Sequence, residues 1–294
     1  MSTTTVVVGY DESVPSEHAL LMAAEEARLR QVGLTVVHAY HYGRGITPMG
    51  FTPPAIDEVY KKVAVEIAEQ GVEHVRARYP DLDVRTKVDL GPAARVLVAA
   101  AGDAALLVVG NRGRGGFAGL LLGSVSMRVL GSTPCPVIVA RGENAETHDR
   151  VVVAVDIDDP GCADVLAFAF DEAARRDAEL VALHVWDDDQ RLIMEQNLVA
   201  AGLLKTSEEI TVDLDECLSD LVSHARTRHP EVGYSCRIAA GAAGKILVGE
   251  SEHADLVVAG ARRRHGAQPG LRIGPVATTL LHHAGCPVAV VPHS

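Results

Sequence analysis

Short apolar runs closed by glycine or a polar residue alternate along this chain with longer stretches whose apolar positions recur every three or four residues. The run Thr5 to Val8 comes first and is followed by Gly9-Tyr10-Asp11. Ser13 to Val32 then sets Ala19, Leu20, Ala23, Ala24 and Ala27 on one helical face. Thr35 to Ala39 (TVVHA) predicts a second strand. The density of Gly43, Gly45, Pro48, Gly50, Pro53 and Pro54 beyond it excludes regular structure there. Ile56 to Arg78 predicts a long helix ended by Tyr79-Pro80, Val84 to Val88 a third strand, and Pro92 to Ala101 a third helix. Leu106 to Val109 forms a fourth strand that meets Gly110, a loop rich in glycine and arginine, and a helical pattern from Gly123-Ser124. Pro136 leads into the last apolar run. Strands that read as continuous apolar runs are buried on both faces, and their alternation with helices builds βαβ units and a parallel sheet.

After Arg141 a polar segment, GENAETHD, reads as a linker, and the pattern begins again. VVVGYD at 6–11 recurs as VVVAVD at 151–156, and TVVHAY at 35–40 as VALHVW at 181–186. LLVVG ending at Gly110 recurs as LVVAG ending at Gly260, and the segment from Gly119 recurs from Gly270. The offset is 145 from Asp11 to Asp156, 150 from Gly110 to Gly260 and 151 from Cys135 to Cys286, a drift that a few loop insertions explain. The chain is therefore expected to be two tandem α/β domains, residues 1–142 and 150–294, joined by a linker at 143–149.

Composition narrows the classes. The 294 residues are 48% hydrophobic, 22% charged and only 4% aromatic, with a net charge of −12. Such a balance is globular and argues against nonspecific binding to nucleic acid or an anionic membrane, both of which need clustered Lys and Arg. No apolar run approaches the roughly 20 residues of a spanning helix. The opening MSTTTVVVGYDES lacks the basic and apolar regions of a signal peptide. Five cysteines without CxxC spacing (Cys135, Cys162, Cys217, Cys236, Cys286) suggest reduced thiols. A cytoplasmic protein without membrane or nucleic-acid partners is the expectation.

The stretch from Ala104 to Val139 carries the candidate chemistry. Gly110 ends a strand where a residue without Cβ lets the backbone turn tightly against a ligand. Gly113, Gly115 and Gly116 allow successive N–H groups to converge on an anion, with Arg112 and Arg114 as added charge. Gly123-Ser124-Val125-Ser126 starts a helix whose unpaired N–H groups attract phosphate, and the hydroxyls of Ser124 and Ser126 are further donors. The bland alternative is a tight strand-to-helix connection. Two other motifs fail. Gly113 to Ala118 fits GxGxxA but follows the fourth strand and has no acid near Arg128 to Cys135. GAAGKI at Gly241 to Ile246 lacks the spacing and the Ser/Thr of a P-loop.

The spacing G-x2-G-x9-G-S at Gly110, Gly113, Gly123 and Ser124 resembles the ATP-binding motif of the universal stress protein family. The opening VVVGYDES, the GSVS helix start and the terminal CPVIV also resemble that family. The resemblance covers nearly the whole chain as two copies. It implies a five-stranded parallel sheet in order 3-2-1-4-5 per copy, flanked by helices, with ATP across the carboxyl ends of strands 1 and 4. It further implies that Gly9, Ala39 and Val109 border the adenine and that Asp11 serves the ribose or adenine side. Gly110, Gly113, Gly123, Ser124, Val125 and Ser126 would hold ribose and phosphates. Homodimers that pair terminal strands are also implied. Apart from the resemblance, Asp11 is the one acid with a case for a role near phosphate, through Mg²⁺.

The second copy departs from this pattern. Gly113 is matched by Arg263, Ser124 by Pro275 and Ser126 by Ala277, and one extra residue lies between Gly260 and Gly274. Pro275 deletes an N–H and Ala277 a hydroxyl, each worth roughly 1 to 3 kcal/mol toward a charged ligand. The expectation is one ATP site in the first half and a degenerate second half, with Arg262, Arg263 and Arg264 either solvated or binding phosphate by side chain. His38 and His184, at matched strand ends, read as structural. The acids Asp187-Asp188-Asp189 read as a solvated face, and Cys135 and Cys286 as small buried residues. No metal site and no catalytic constellation follow from the spacing. The functional expectation is a regulatory or sensor binder of ATP. The alternatives are a slow ATPase or phosphotransferase using the same loop, a binder of AMP or cyclic AMP, and a nucleotide-free scaffold.

Overall fold

A computed structural model of the chain describes residues 5–42, 54–114, 121–142, 147–186, 207–264 and 270–294. These divide into two compact units, drawn mainly from the N-terminal and C-terminal halves.

In the first unit β1 (Thr5–Gly9) leads into α1 (Val14–Arg30) and β2 (Gly33–Tyr40). These are followed by α2 (Pro54–Arg78), β3 (Val84–Leu90) and α3 (Ala93–Ala100). The unit ends with β4 (Leu106–Gly110), α4 (Ser124–Leu130) and β5 (Val137–Ala140). All strand pairs are parallel and the order is β3-β2-β1-β4-β5, which is the predicted 3-2-1-4-5. Helices α1 and α2 cover one face of this sheet and α3 and α4 the other. Covered on both sides, β4 is buried at every residue, which is why its sequence shows no polar alternation.

The start of α1 is fixed by short polar side chains. Ser13 caps it by accepting from the Ser16 N–H at 3.4 Å, and Pro15 fits the first turn, where no intrahelical N–H is required. The alanine stripe is fully buried, and its small side chains let the helix lie close to β1 and β4. The helix ends on Gln31 in the left-handed region at φ 54°.

The second unit repeats the plan. It comprises β6 (Arg150–Ala154), α5 (Cys162–Arg176), β7 (Glu179–Trp186) and α6 (Ser207–Ala225). After these come β8 (Tyr234–Ala240), α7 (Ala243–Glu250), β9 (Leu256–Arg264), β10 (Gly270–Arg272, of which Gly270 and Leu271 group with the first unit), α8 (Pro275–His283) and β11 (Val288–His293). The main strands again run parallel, in the order β8-β7-β6-β9-β11. One expectation is corrected here. The repeat predicts a strand ending at Gly260, as β4 ends at Gly110, but β9 continues to Arg264. As far as Arg262 the cause is β11, which runs on to pair Pro292 with Ala261 and His293 with Arg262.

The cysteines are unbridged, and Cys135 and Cys286 are buried, as their matched strand-start positions predict. No helix among the described residues is long and apolar enough to cross a membrane. The Asp187–Asp189 run, Gly115, Gly116 and the proline-rich loop near residue 48 lie outside the described residues, as does the Arg264 side chain.

Candidate functional site

In an open sheet of this order, neighbouring connections diverge to opposite faces beyond the carboxyl ends of β1 and β4, and a crevice opens between them. The first unit has a cavity of about 380 Å³ there, and all ten residues singled out by the sequence line it. Its inner wall is apolar: Gly9 ends β1 and Val109 is the last residue of β4 but one, with Ala39, Val37 and Leu97 beside them. The other predicted residues lie at the polar end.

Asp11 is the centre of that end. One carboxylate oxygen accepts from the Ser13 N–H at 3.2 Å and the Ser13 hydroxyl at 2.5 Å, and the other accepts from the Arg114 N–H at 3.1 Å. Burial works to raise its pKa, but the hydrogen bonds from Ser13, the Arg114 backbone and Ser16 outweigh burial and hold the carboxyl below its ordinary value. A depressed folded pKa contributes stability above the ordinary value of 3.8, lost as pH falls through the folded pKa. Asp11→Asn is therefore expected to lower stability by a constant amount above about pH 5 and by progressively less below the ordinary carboxylate range. Urea midpoints of both proteins, taken at stepped pH, check this; a gap that widened in acid would contradict it.

Gly113 is where the loop meets this carboxylate. A Cβ built on Gly113 would lie 2.7 Å from an Asp11 Oδ2, closer than carbon and oxygen normally approach. Only glycine lets the loop backbone fold against Asp11 and offer it the next N–H. Gly110 is equally constrained: its Cβ would stand 2.6 Å from the Pro15 carbonyl oxygen in the first turn of α1. Glu12 has a left-handed φ of 61° and holds the Arg114 guanidinium at 2.9 Å, so a non-glycine residue carries backbone strain at the mouth of the site. Arg112 also lines the cavity and is exposed.

Two predicted donors are engaged within the protein. The Gly123 N–H donates to the Asn111 carbonyl at 2.7 Å, and the Ser126 hydroxyl donates to the Gly110 carbonyl at 2.7 Å. These bonds clasp the start of α4 to the end of β4. The donors they leave for a ligand are the Ser124 hydroxyl and the N–H groups of the first turn of α4, which lack intrahelical acceptors. Ser16, Tyr10 and Ala93 also line the cavity and were not singled out. Ser16 accepts from the Asp11 N–H at 3.2 Å, and its signal was the serine pair in the capping sequence DESVPS. His38 binds the Tyr10 carbonyl at 2.8 Å and His184 the Val155 carbonyl at 2.9 Å, each tying two strand ends together.

The second unit has a cavity of about 450 Å³ at the corresponding strand ends, so the changed loop has not filled it. Arg262 reaches Asp159 at 2.8 Å, and the Asp159 carboxyl, despite its burial, is held below its ordinary value by that guanidinium and the Gly161 N–H. Among the described residues no group of three or more His, Cys, Asp or Glu side chains is arranged to hold a metal.

A family model for the universal stress protein family matches the chain twice, at residues 3–141 and 147–292. A universal stress protein of Mycolicibacterium smegmatis is 32% identical over 297 residues, spanning 97% of this chain and 96% of its own length. Universal stress protein Rv2623 of Mycobacterium tuberculosis is 30% identical over 308 residues, spanning 98% and 96%. The crystal structure of a universal stress protein from Archaeoglobus fulgidus covers 100% of both chains with a TM-score of 0.70 at 18% identity, a likeness of fold.

Proposed function

The chain belongs to the universal stress protein family, and from that premise we propose that its first half binds ATP and that the protein acts as a regulatory or sensor binder in stress adaptation. The observation that carries this reading is the fit of loop backbone to strand ends: Gly113 rests against Asp11 so closely that a Cβ would fill the space. The fold holds Gly113, the Arg114 backbone and the start of α4 around one polar pocket, beside an apolar slot suited to a flat base. The apolar walls of Ala39, Val109 and Leu97 take the adenine. The first turn of α4, Ser124 and Arg112 face the phosphates.

Mg²⁺ bound with the triphosphate would neutralise part of its charge. Asp11 is the single carboxylate in the described lining, and both of its oxygens already accept hydrogen bonds, so it orders the loop rather than acting as a base. His38 is likewise engaged at Nδ1. A binder therefore accounts for the site better than a hydrolase. The family resemblance extends the proposal to a homodimer, which sedimentation equilibrium would test.

Calorimetric titration of nucleotide-free protein with ATP and Mg²⁺ is the direct test. The expected result is saturable binding in the first half, at least ~10-fold tighter for ATP than for AMP, since the added phosphates gain donors and Arg112. Equal affinity for AMP and ATP, indifferent to Mg²⁺, would overturn the triphosphate reading.

A further inference from the structure

Each crevice is bridged at its mouth by an ion pair. In the first unit Glu12, between β1 and α1, holds the guanidinium of Arg114, beyond β4, at 2.9 Å. In the second unit Asp159, between β6 and α5, holds that of Arg262, in β9, at 2.8 Å. The paired residues do not correspond in the repeat. Glu12 is matched by Ile157 and Arg114 by Arg264, whereas Asp159 is matched by Val14 and Arg262 by Arg112. What recurs is the bridge itself, from the first strand's side of the crevice to the fourth strand's side, made by different residues in each half.

The two bridges differ in what stands behind them. His293 packs in a notch between Gly161 and Gly260 with its Nδ1 3.7 Å from the Asp159 carboxylate, which also accepts from the Gly161 N–H at 2.9 Å. Asp159 is thus held from several sides. Glu12 has Arg114 as its one hydrogen-bonded partner among the described residues. Both of these side chains reach solvent, Arg114 at 61% and Glu12 at 35% exposure. An ion pair so exposed contributes little to stability, so the fold loses little when it is exchanged for another.

Charge indicates what would displace it. The charged residues in the described lining of the first cavity are Asp11, Arg112 and Arg114. With Arg114 neutralised by Glu12, Arg112 and Asp11 cancel and the polar end is balanced. A triphosphate with Mg²⁺ brings net negative charge to that end. A guanidinium takes phosphate in the same forked geometry as carboxylate, so a phosphate chain competes directly for Arg114.

We propose that Glu12 is an internal competitor that occupies Arg114 until a phosphate chain displaces it, so that the pair sets how tightly the first cavity takes a triphosphate. This rests on the reading of that cavity as an ATP site. On binding, the Arg114 side chain leaves Glu12 for the phosphates, while its backbone N–H stays on Asp11.

The test is titration of ATP plus Mg²⁺ into full-length Glu12→Gln, Arg114→Gln and the double variant, with circular dichroism to confirm folding. Glu12→Gln is expected to bind ATP ~5-fold more tightly than the wild type, and Arg114→Gln ~5-fold more weakly. In the Arg114→Gln background the change at Glu12 should alter affinity by less than ~2-fold, since the carboxylate then has no guanidinium to withhold. A pair that only braces the loop gives the opposite sign: weaker binding by Glu12→Gln overturns the proposal. Equal gains from Glu12→Gln with and without Arg114 also overturn it, because Glu12 would then act as a repelling charge alone. Inorganic tripolyphosphate, titrated into the same proteins, separates this outcome from the fate of the ATP reading. The same pattern with tripolyphosphate but no binding of ATP would sustain the exchange at Arg114 and refute the adenine site. A wild type that binds neither overturns both.

Discussion

Gly113→Arg is expected to raise the dissociation constant for ATP at least ~100-fold, a loss of about 3 kcal/mol. The substitution copies into the first half the residue that the second half has at the matching position, Arg263. Its first carbon would lie 2.7 Å from Asp11 Oδ2, so either the carboxylate swings away or the loop lifts. Both movements break the hydrogen bond from the Arg114 N–H and undo the close approach of backbone to the ligand. The added guanidinium, although attractive to phosphate, cannot restore a backbone donor set. Gly113→Ala should cost roughly 10-fold through the Cβ alone. Gly123→Ala is the contrasting control. Gly123 has φ −77°, and its nearest neighbour to a new Cβ is backbone at 3.4 Å, so little need move and affinity should stay within about 3-fold. Calorimetric titration of all three, with circular dichroism to confirm folding, decides it. Unchanged affinity in Gly113→Arg would mean that the nucleotide does not sit on this loop.

Much of this architecture is legible in the sequence because its strands are buried on both faces. Val6–Val8 and Leu106–Val109 read as strands without any alternation, since helices cover both sides of the sheet. The ten candidate residues converge on one cavity because glycine spacing in a strand-to-helix turn is a local constraint, set by backbone approach rather than by distant packing. What stayed hidden depends on pairing between segments far apart in sequence. Ala261-Arg262-Arg263-Arg264 reads as a loop from its charge. Its first two residues join the strand because β11 extends to His293 and supplies partners for Ala261 and Arg262. The glycine notch that holds His293 joins Gly161, Gly260 and the end of β11, and no spacing rule connects them. The inward bond of Ser126 to Gly110 is hidden for a related reason. A serine at a helix start presents its hydroxyl to a ligand or to the preceding strand, and only the packing of α4 on β4 decides which.

Gly110→Ala is expected to be the most destabilising small substitution in the site, at about 3 kcal/mol, while the matched Gly260→Ala should cost about 1 kcal/mol. The two glycines stand at matched positions of the repeat, but a Cβ meets different atoms at each. At Gly110 it would press on the Pro15 carbonyl oxygen at 2.6 Å and carbon at 2.8 Å, both backbone atoms of a helix whose alanine stripe is packed with no exposed surface. Relief requires shifting α1 against β4 or bending the strand end, and either pulls the Gly110 carbonyl away from the Ser126 hydroxyl. At Gly260 it would press on His293 Nε2 at 2.8 Å and Val165 Cγ2 at 3.0 Å, both side-chain atoms, whose displacement moves no helix backbone. With typical native stabilities of 5–15 kcal/mol, the first change removes a large share of one domain's margin. Amide exchange resolves the two halves: opening is expected to accelerate in 106–110 and 14–30 for Gly110→Ala. For Gly260→Ala the change should be smaller and confined to the second half. Equal effects of the two substitutions would show that flexibility of the strand end, rather than the close approach of α1, is what requires glycine at the mouth of the first cavity.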